Sequence, residues 1–264
     1  MKDIVFIMDI DVKGTGRYSS DRRLPYQYSI KSWKKWCDKN GVELFIMNDL
    51  IADNSKMGIC WQRYYLFDVF ENNEIDYNKV LLVDADTIIH PNCPNFFEEV
   101  DKDYTAVNVS GCYEWVNRSI NSYHKHMFSD MDKVKPWEYV NGGFQIVNKT
   151  HKDFFKKITD FYWDNVNELI YAQENFKVGT DQTVINFLLR KYKVKINTLP
   201  VCYNLQDMFS KNLLHFPNYS WWEDSLTNLY NSGWIYHFNA IPDHECKRNS
   251  LYWMERIYKE LYND

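Results

Sequence analysis

Two aspartates one residue apart, Asp84 and Asp86, are the residues whose type and spacing most clearly indicate chemistry. They follow residues 80–83, a short apolar run that is typical of a buried parallel strand. In open α/β sheets, ligands bind at the carboxyl ends of the strands, where these two carboxylates would emerge. Paired carboxylates suit Mg²⁺ or Mn²⁺. The pattern therefore predicts a divalent-metal site, while two aspartates that merely cap the next segment are the alternative.

The whole segment, a strand followed by Asp84, Ala85, Asp86 and the apolar Ile88 and Ile89, resembles the metal-binding motif of GT-A fold glycosyltransferases. In that family the acidic pair holds a divalent ion against the diphosphate of a nucleotide sugar. The resemblance thus implies Mn²⁺ or Mg²⁺ as cofactor and a nucleotide sugar as donor. It also implies that the motif, including Ala85, contacts that donor.

A second segment, Asn141-Gly142-Gly143, precedes an apolar run at residues 144–147. It resembles the Asn-(Ser/Gly)-Gly strand start of family-8-like glycosyltransferases, a group that includes glycogenin-like and lipopolysaccharide galactosyltransferase-like enzymes. Glycine there lets the backbone approach the donor sugar closely. The resemblance implies that Asn141, Gly142 and Gly143 bind the donor. An ordinary tight turn before a strand is the alternative.

A third segment, Asp181-Gln182, opens an apolar helix predicted over residues 182–192. It resembles the Asp-Gln pair that lies beside the anomeric carbon in the same group, which implies that Asp181 and Gln182 are catalytic. Thr180 or Asp181 would also make a good helix N-cap. A catalytic role and a capping role are compatible, because a helix N-terminus also favours the hydrogen-bond acceptors of a sugar.

A fourth segment, ending in His237-Phe238-Asn239, resembles the C-terminal His-Phe motif, whose imidazole completes the metal coordination. The resemblance implies that His237 is the third metal ligand, whereas a buried structural histidine is the alternative. The segment departs from the family pattern at two positions, because Ala240 and Asp243 stand where a glycine and a lysine usually follow. Another cation, Lys247 or Arg248, would then have to face the phosphates.

Several arginines are candidates for contacts with the donor. Arg63, on the helix before the acidic pair, matches a basic position that reaches the donor or the carboxylates in such enzymes, although a solvated surface arginine is the alternative. Arg17, Arg22 and Arg23 follow the first predicted strand and are weaker candidates for the diphosphate.

Together these motifs imply a metal-dependent glycosyltransferase that moves a sugar from a UDP-sugar to a hydroxyl acceptor. The family-8-like group retains the anomeric configuration, so no strong base is required; an inverting enzyme would need one, and Asp181 or Glu114 are the candidates. Acceptor contacts are expected in residues 114–139 and at Trp221-Trp222. A glycan, a protein, a lipid-linked sugar or a modified nucleic-acid base all fit as acceptor.

Two alternative functions remain open at this stage. A sugar nucleotidyltransferase uses a similar sheet and a carboxylate-bound metal, but it would need a glycine-rich loop after the first strand, of which Gly14-Thr15-Gly16-Arg17 is only a faint version. A non-catalytic binder of nucleotide sugars on the same scaffold is favoured by the altered residues Ala240 and Asp243. The joint presence of all four motifs weighs against it.

The elements that must position these residues follow the pattern of an α/β protein. Alternating strands and helices predict a Rossmann-like GT-A domain with a mostly parallel sheet flanked by helices and with right-handed crossovers. Strands are predicted at residues 4–10, 42–47, 80–83, 106–109, 144–147 and 193–199, and helices at residues 26–39, 61–70, 152–171, 182–192 and 250–261. Residues 111–139 fit neither pattern, and an irregular functional segment is expected there.

Length and composition limit the alternatives further. A chain of 264 residues fits one domain, with a nucleotide-sugar half at residues 1–110 and an acceptor half at residues 111–264 that completes the metal site. The net charge of −5 argues against non-specific nucleic-acid binding. The scattered cysteines indicate neither a zinc site nor a disulfide framework. Neither a signal peptide nor a membrane span is recognisable, so a cytoplasmic protein is expected.

Overall fold

Eight strands and nine helices are assigned in the computed structural model, which describes residues 1–11, 23–211, 213–214, 227–241 and 248–263. The strands are β1 (Lys2–Met8), β2 (Glu43–Met47), β3 (Tyr77–Val83), β4 (Thr87–Ile89), β5 (Tyr104–Asn108), β6 (Val140–Asn148), β7 (Ile196–Leu199) and β8 (Ile235–His237). The helices are α1 (Arg23–Asn40), α2 (Ile59–Gln62), α3 (Leu66–Asn72), α4 (Tyr113–Met127), α5 (Lys152–Asp164), α6 (Val166–Phe176), α7 (Gln182–Lys191), α8 (Thr227–Tyr230) and α9 (Ser250–Tyr262).

Six of the strands form one sheet in the order β2-β1-β3-β6-β5-β7. β1 pairs in parallel with β2 and β3, and β5 pairs in parallel with β7. Only β6 runs against its neighbours, since it is antiparallel to both β3 and β5. The prediction of an α/β fold with a mostly parallel sheet is therefore confirmed.

β1 and β3 each contain a continuous buried apolar run, at residues 4–7 and 80–83, because helices cover both faces of the sheet. On one face, Val5 and Leu81 pack with the α1 side chains Trp33 and Trp36. On the other face, alternate strand residues pack with side chains from α3, α5 and α7. No helix within the described ranges is both long enough and apolar enough to cross a membrane.

A small second sheet joins two distant parts of the chain. β4, immediately after the acidic pair, is antiparallel to β8, and Thr87 lies opposite His237. Behind this sheet, α9 packs against α1, with the rings of Tyr28 and Tyr258 centred 5.6 Å apart. The pairing of β4 with β8 therefore determines which residues of the C-terminal half reach the end of β3.

The expectation of an irregular segment at residues 111–139 is wrong, because α4 occupies more than half of it. The buried face of α4 carries Val116, Ser119, Ile120 and Tyr123, which have helical spacing. Ser119 interrupts the apolar stripe in the sequence, and charged and polar residues fill the other faces. The helical period is consequently difficult to recognise from hydrophobicity alone.

Three other expectations are corrected by the structure. The helix predicted over residues 61–70 is divided into α2, a 3₁₀ turn at Arg63–Tyr65 and α3. The helix predicted over residues 152–171 breaks at Asn165, which separates α5 from α6. Asn141-Gly142-Gly143 does not form a turn, because β6 begins at Val140 and these three residues lie within the strand.

Candidate active site

The acidic pair lies where the sheet pattern predicts it, immediately after β3. Asp84 continues from the last residue of that strand, and its backbone N–H donates to the Gly143 carbonyl oxygen at 3.1 Å. The Asp86 carbonyl oxygen accepts a hydrogen bond from the Phe238 N–H at 2.8 Å. These two backbone contacts fix the Asp84–Asp86 segment between β6 and the end of β8.

Asp84, Asp86 and His237 converge in space, as the sequence predicts. The His237 Nε2 atom lies 3.2 Å from Asp86 Oδ1 and 3.5 Å from Asp84 Oδ2. One ligand atom from each residue falls within 4.8 Å of the others. Two carboxylate oxygens and one imidazole nitrogen are a donor set that fits a divalent ion such as Mn²⁺. These three side chains could therefore hold a metal ion.

The environment of His237 orients its ring for this purpose. Its Nδ1 atom lies 3.0 Å from the Asn204 side-chain oxygen, and the Asn204 amide group donates to the Asn141 Oδ1 atom at 3.0 Å. Because Asn204 presents its oxygen, His237 Nδ1 carries a proton and Nε2 faces the carboxylates. Burial lowers the pKa of His237, but the charges of Asp86 and Asp84 outweigh this effect and the pKa is raised.

Gly143 lies directly against Asp84 and His237. A Cβ atom placed on Gly143 would lie 2.2 Å from Asp84 Oδ2 and 2.8 Å from His237 Cε1. Its φ angle is not in the left-handed region, so glycine is needed here for space and not for backbone conformation. Only a residue without a side chain allows β6 to pass this close to the carboxylates.

Arg63 lies beside Asp84, and the alternative of a solvated surface arginine is wrong. Its Nη2 atom lies 2.7 Å from Asp84 Oδ1, its Nη1 donates to the Gly142 carbonyl oxygen at 2.9 Å, and its Nε is 4.0 Å from Asp181 Oδ2. The side chain is only 14% exposed. Burial lowers the pKa of Arg63, but the carboxylates of Asp84 and Asp181 more than compensate and raise it. Arg63 is thus a fixed cation at the site.

Asp181 does not cap α7 with its side chain, which contradicts the N-cap alternative. The carboxylate is buried, and it accepts hydrogen bonds from the Tyr64 hydroxyl at 3.0 Å and the Thr180 hydroxyl at 2.9 Å. The Asp181 carboxylate also interacts electrostatically with the Arg63 guanidinium. The structure therefore places Asp181 behind Arg63, where it contributes to the orientation of the guanidinium.

Gln182 and Asn141 hold the first part of β6 in position. The Gln182 side-chain oxygen accepts from the Gly142 N–H at 2.9 Å and from the Asn141 amide at 3.0 Å. The same Asn141 amide donates to the Gln206 side-chain oxygen at 2.9 Å, and the Asn141 oxygen accepts from the Gly143 N–H at 2.7 Å. Asn141 uses its side chain on protein partners, so it shapes the backbone around Gly142 and Gly143.

Sequence reasoning missed three residues that support the site: Tyr64, Asn204 and Gln206. Each is buried and polar, and each bonds a residue that the sequence did indicate. The signal that could have found Asn204 and Gln206 is their alternation with Tyr203 and Leu205, which is typical of an extended segment beside polar neighbours. Tyr64 has no comparable signal.

Other predicted candidates do not join the group. Glu114 is exposed, forms an ion pair with Arg118 at 3.2 Å, and does not line the cavity around Asp84. Arg23 pairs with Asp9 through two hydrogen bonds of 3.0 Å. Arg248 lies 5.7 Å from the centre of the Tyr252 ring. Residues 14–17, 22, 221–222, 243 and 247 are outside the described residues.

A cavity of about 890 Å³ opens in front of the acidic pair. It extends from the end of β1 past Cys60 and Arg63 to Asp84, Ala85 and Asp86. Its size is in the range of binding sites for small molecules and cofactors, about 300–1,000 Å³. The cavity, the carboxylates and the buried arginine thus form one site at the carboxyl end of the central strands, where α/β sheets bind ligands.

Comparisons with known proteins identify the fold. No protein-family profile and no curated protein sequence matches this chain. A solved glycosyltransferase involved in the glycosylation of the major capsid of PBCV-1 aligns over 100% of both chains, with a TM-score of 0.56 and 9% identity. The apo-form glycosyltransferase GlyE of Streptococcus pneumoniae TIGR4 aligns over 100% of this chain, with a TM-score of 0.54 and 14% identity, and this chain spans 64% of its length. The chain therefore has the GT-A fold of these glycosyltransferases.

Proposed function

We propose that this protein is a metal-dependent glycosyltransferase that moves a sugar from a nucleotide sugar to a hydroxyl acceptor. The observation that carries the proposal is the convergence of Asp84, Asp86 and His237 beside a large cavity. The fold of the two solved glycosyltransferases supports it. The donor is a UDP-sugar, as the resemblance of the motifs to family-8-like enzymes implies.

The barrier to transfer is charge separation at the anomeric carbon. As the glycosidic bond breaks, the sugar becomes positively charged and negative charge grows on the diphosphate. Asp84, Asp86 and His237 would hold a divalent ion, which would supply Lewis-acid stabilisation of that negative charge. The protein residues keep these ligands oriented, since Asn204 fixes the ring of His237 and Gly143 leaves room for the carboxylate of Asp84.

Arg63 provides a second positive charge at the same edge of the cavity. Its guanidinium bridges Asp84 and the backbone of Gly142, and its Nε atom is buried without a hydrogen-bond partner among the described residues. Asp181, supported by Tyr64, balances this charge from behind. Arg63 therefore orients Asp84 and faces the donor, while Asp181 and Gln182 act by positioning the groups around it.

The transfer retains the anomeric configuration. An inverting enzyme needs a carboxylate base that faces the acceptor. Of the two candidates, Asp181 is buried behind Arg63 and accepts two hydroxyl hydrogen bonds, and Glu114 is exposed outside the cavity. Retention requires no such base, because the leaving diphosphate can accept the proton of the acceptor hydroxyl.

The experiment that tests this function is the release of UDP from donors in the absence of any acceptor. UDP-glucose, UDP-galactose and UDP-N-acetylglucosamine are each incubated with the wild type and with Asp86→Ala, with and without Mn²⁺. We expect slow release that depends on Mn²⁺ and disappears in the variant, and the most active donor identifies the sugar. Asp38→Ala, which removes an exposed carboxylate on α1, is the matched control and retains the wild-type rate.

The two alternative functions give different results in the same assay. A non-catalytic binder binds UDP in the presence of Mn²⁺, but releases none from any donor, even with a broad panel of hydroxyl acceptors. A nucleotidyltransferase consumes UTP with a sugar 1-phosphate and releases pyrophosphate. Either result rejects the proposed transfer reaction.

A further inference from the structure

A second cavity, of about 460 Å³, lies between the edge strand β7 and the helix α7. None of its lining residues lines the larger cavity in front of Asp84. Its inner wall is apolar, formed by Val134, Val140 and Leu189, which are buried. Its outer wall is exposed and includes Trp137 and Arg190. The cavity is thus a separate concave site within the usual size range for ligands, about 300–1,000 Å³.

Trp137 is the large apolar residue at the mouth of this cavity. The residue is 67% exposed. It lies on a short 3₁₀ turn at Pro136–Glu138, and the Asn108 amide donates a hydrogen bond of 3.3 Å to the Trp137 carbonyl oxygen. The Lys135 ammonium lies 5.8 Å from the centre of the indole. An exposed indole next to a concave apolar wall can pack against the apolar face of a pyranose ring.

Asn108 lines the same cavity and bonds the turn that carries Trp137. Its side-chain oxygen is buried and has no hydrogen-bond partner among the described residues, whereas its amide nitrogen is bonded to Trp137. That oxygen has almost no accessible surface, so Asn108 acts by holding the Trp137 turn in place and makes no direct contact with a ligand through its oxygen.

The charges around the mouth complete the chemistry of the ligand. Arg190 pairs with Glu138 at 3.1 Å, which places one donor group and one acceptor group at the rim. Lys193 and Thr198 line the same cavity. Sugar hydroxyls both donate and accept, so they can bond both members of such a pair.

We propose that this cavity is a second carbohydrate-binding site, which takes a neutral pyranose unit of a glycan at a distance from the transfer reaction. The choice of a sugar among neutral polyhydroxylated ligands rests on the proposed function. The pyranose packs on Trp137, and its hydroxyls bond Arg190 and Glu138 at the rim. Because Val140 directly precedes Asn141 in β6, the site is close along the chain to the residues that support Gly142 and Gly143.

Saturation-transfer NMR on the full chain tests this site with lactose, cellobiose and N,N′-diacetylchitobiose as probes. UDP and Mn²⁺ are present throughout, so that sugar binding in the larger cavity is suppressed. We expect one or more of these sugars to bind the wild type and to bind Trp137→Ala about tenfold more weakly. Trp163→Ala, which removes an indole that is also exposed, is the matched control and binds as the wild type does.

Two results would overturn the site: none of the sugars binds the wild type, or binding is unchanged in Trp137→Ala. Thermal melting of both variants verifies that they fold. UDP release from the donor separates this proposal from the transferase proposal, because Trp137→Ala should keep the wild-type rate. If the wild type releases no UDP but Trp137-dependent sugar binding is observed, the transfer reaction is rejected and the carbohydrate site is retained.

Discussion

Gly143 faces Asp84 at a distance that no other residue type allows, since a Cβ atom there would lie 2.2 Å from the carboxylate oxygen Oδ2. β6 is antiparallel to β3 at this point, and the Asp84 N–H bonds the Gly143 carbonyl oxygen. The backbone of β6 thus forms one wall of the group that contains Asp84, Asp86 and His237. β6 can lie this close to Asp84 because Gly143 has no side chain.

Replacement of Gly143 by alanine should therefore disturb the proposed metal site. The new methyl group displaces the Asp84 carboxylate, and a misplacement of about 1 Å lowers the rate of an enzyme by about 100-fold. We expect a loss of this size in Mn²⁺-dependent UDP release, together with weaker Mn²⁺ binding in a calorimetric titration.

Gly142→Ala is the matched control for this change. A Cβ atom on Gly142 would meet the nearest atom, Gln182 Cβ, at 3.4 Å, which is an ordinary van der Waals contact. This variant should retain most of the Mn²⁺ binding and UDP release. Equal losses in the two variants would show that β6 tolerates neither substitution, and that Gly143 has no specific relation to Asp84.

Asn204 is predicted to act through His237. Its side-chain oxygen accepts the Nδ1 proton of His237, and removal of such a supporting partner typically weakens metal binding by about 10–100-fold. We expect this loss for Asn204→Ala in a Mn²⁺ titration. Asn204→Asp keeps an acceptor at the ring and should recover part of the affinity. If both variants bind Mn²⁺ as tightly as the wild type does, Asn204 does not support a metal ligand.

Arg63 and Asp181 should be coupled in stability. Arg63→Met leaves the buried Asp181 carboxylate without its opposing charge, and such a loss costs about 3 kcal/mol in the free energy of unfolding. Addition of Asp181→Asn removes that charge, and we expect it to restore about 1 kcal/mol or more. Urea unfolding of the single and double variants measures both values. Additive losses in the double variant would contradict the coupling.

Asp84 and Asp86 could be predicted from sequence because they directly follow the short apolar run of β3. His237 was indicated only by the resemblance of its segment to the His-Phe motif. The supporting residues could not be predicted in this way. Asn204 contacts His237, 33 residues away in the sequence, only through tertiary packing. Tyr64 contacts Asp181, 117 residues away, in the same manner.

The local errors have similar causes. Asp181 lies at the N-terminus of α7, where sequence rules favour a cap, but the buried cation of Arg63 attracts its carboxylate instead. The α4 helix was missed because the small polar residue Ser119 lies in its buried stripe. At Asp181 a tertiary contact overrides a local preference, whereas at α4 the helical pattern itself is obscured in the sequence.

Ala240 is one of six non-glycine residues in the described part of the chain whose φ angle is positive. Its φ angle is +56°, in the left-handed region that favours glycine, and it lies three residues after His237, the last residue of β8. Ala240→Gly should relieve this strain and raise the free energy of unfolding by about 1 kcal/mol, as measured in urea. Ala172→Gly, in the interior of α6, is the control and should lower stability by about 1 kcal/mol. A loss of stability in both variants would mean that the strain at Ala240 is smaller than the entropy that glycine adds to the unfolded chain.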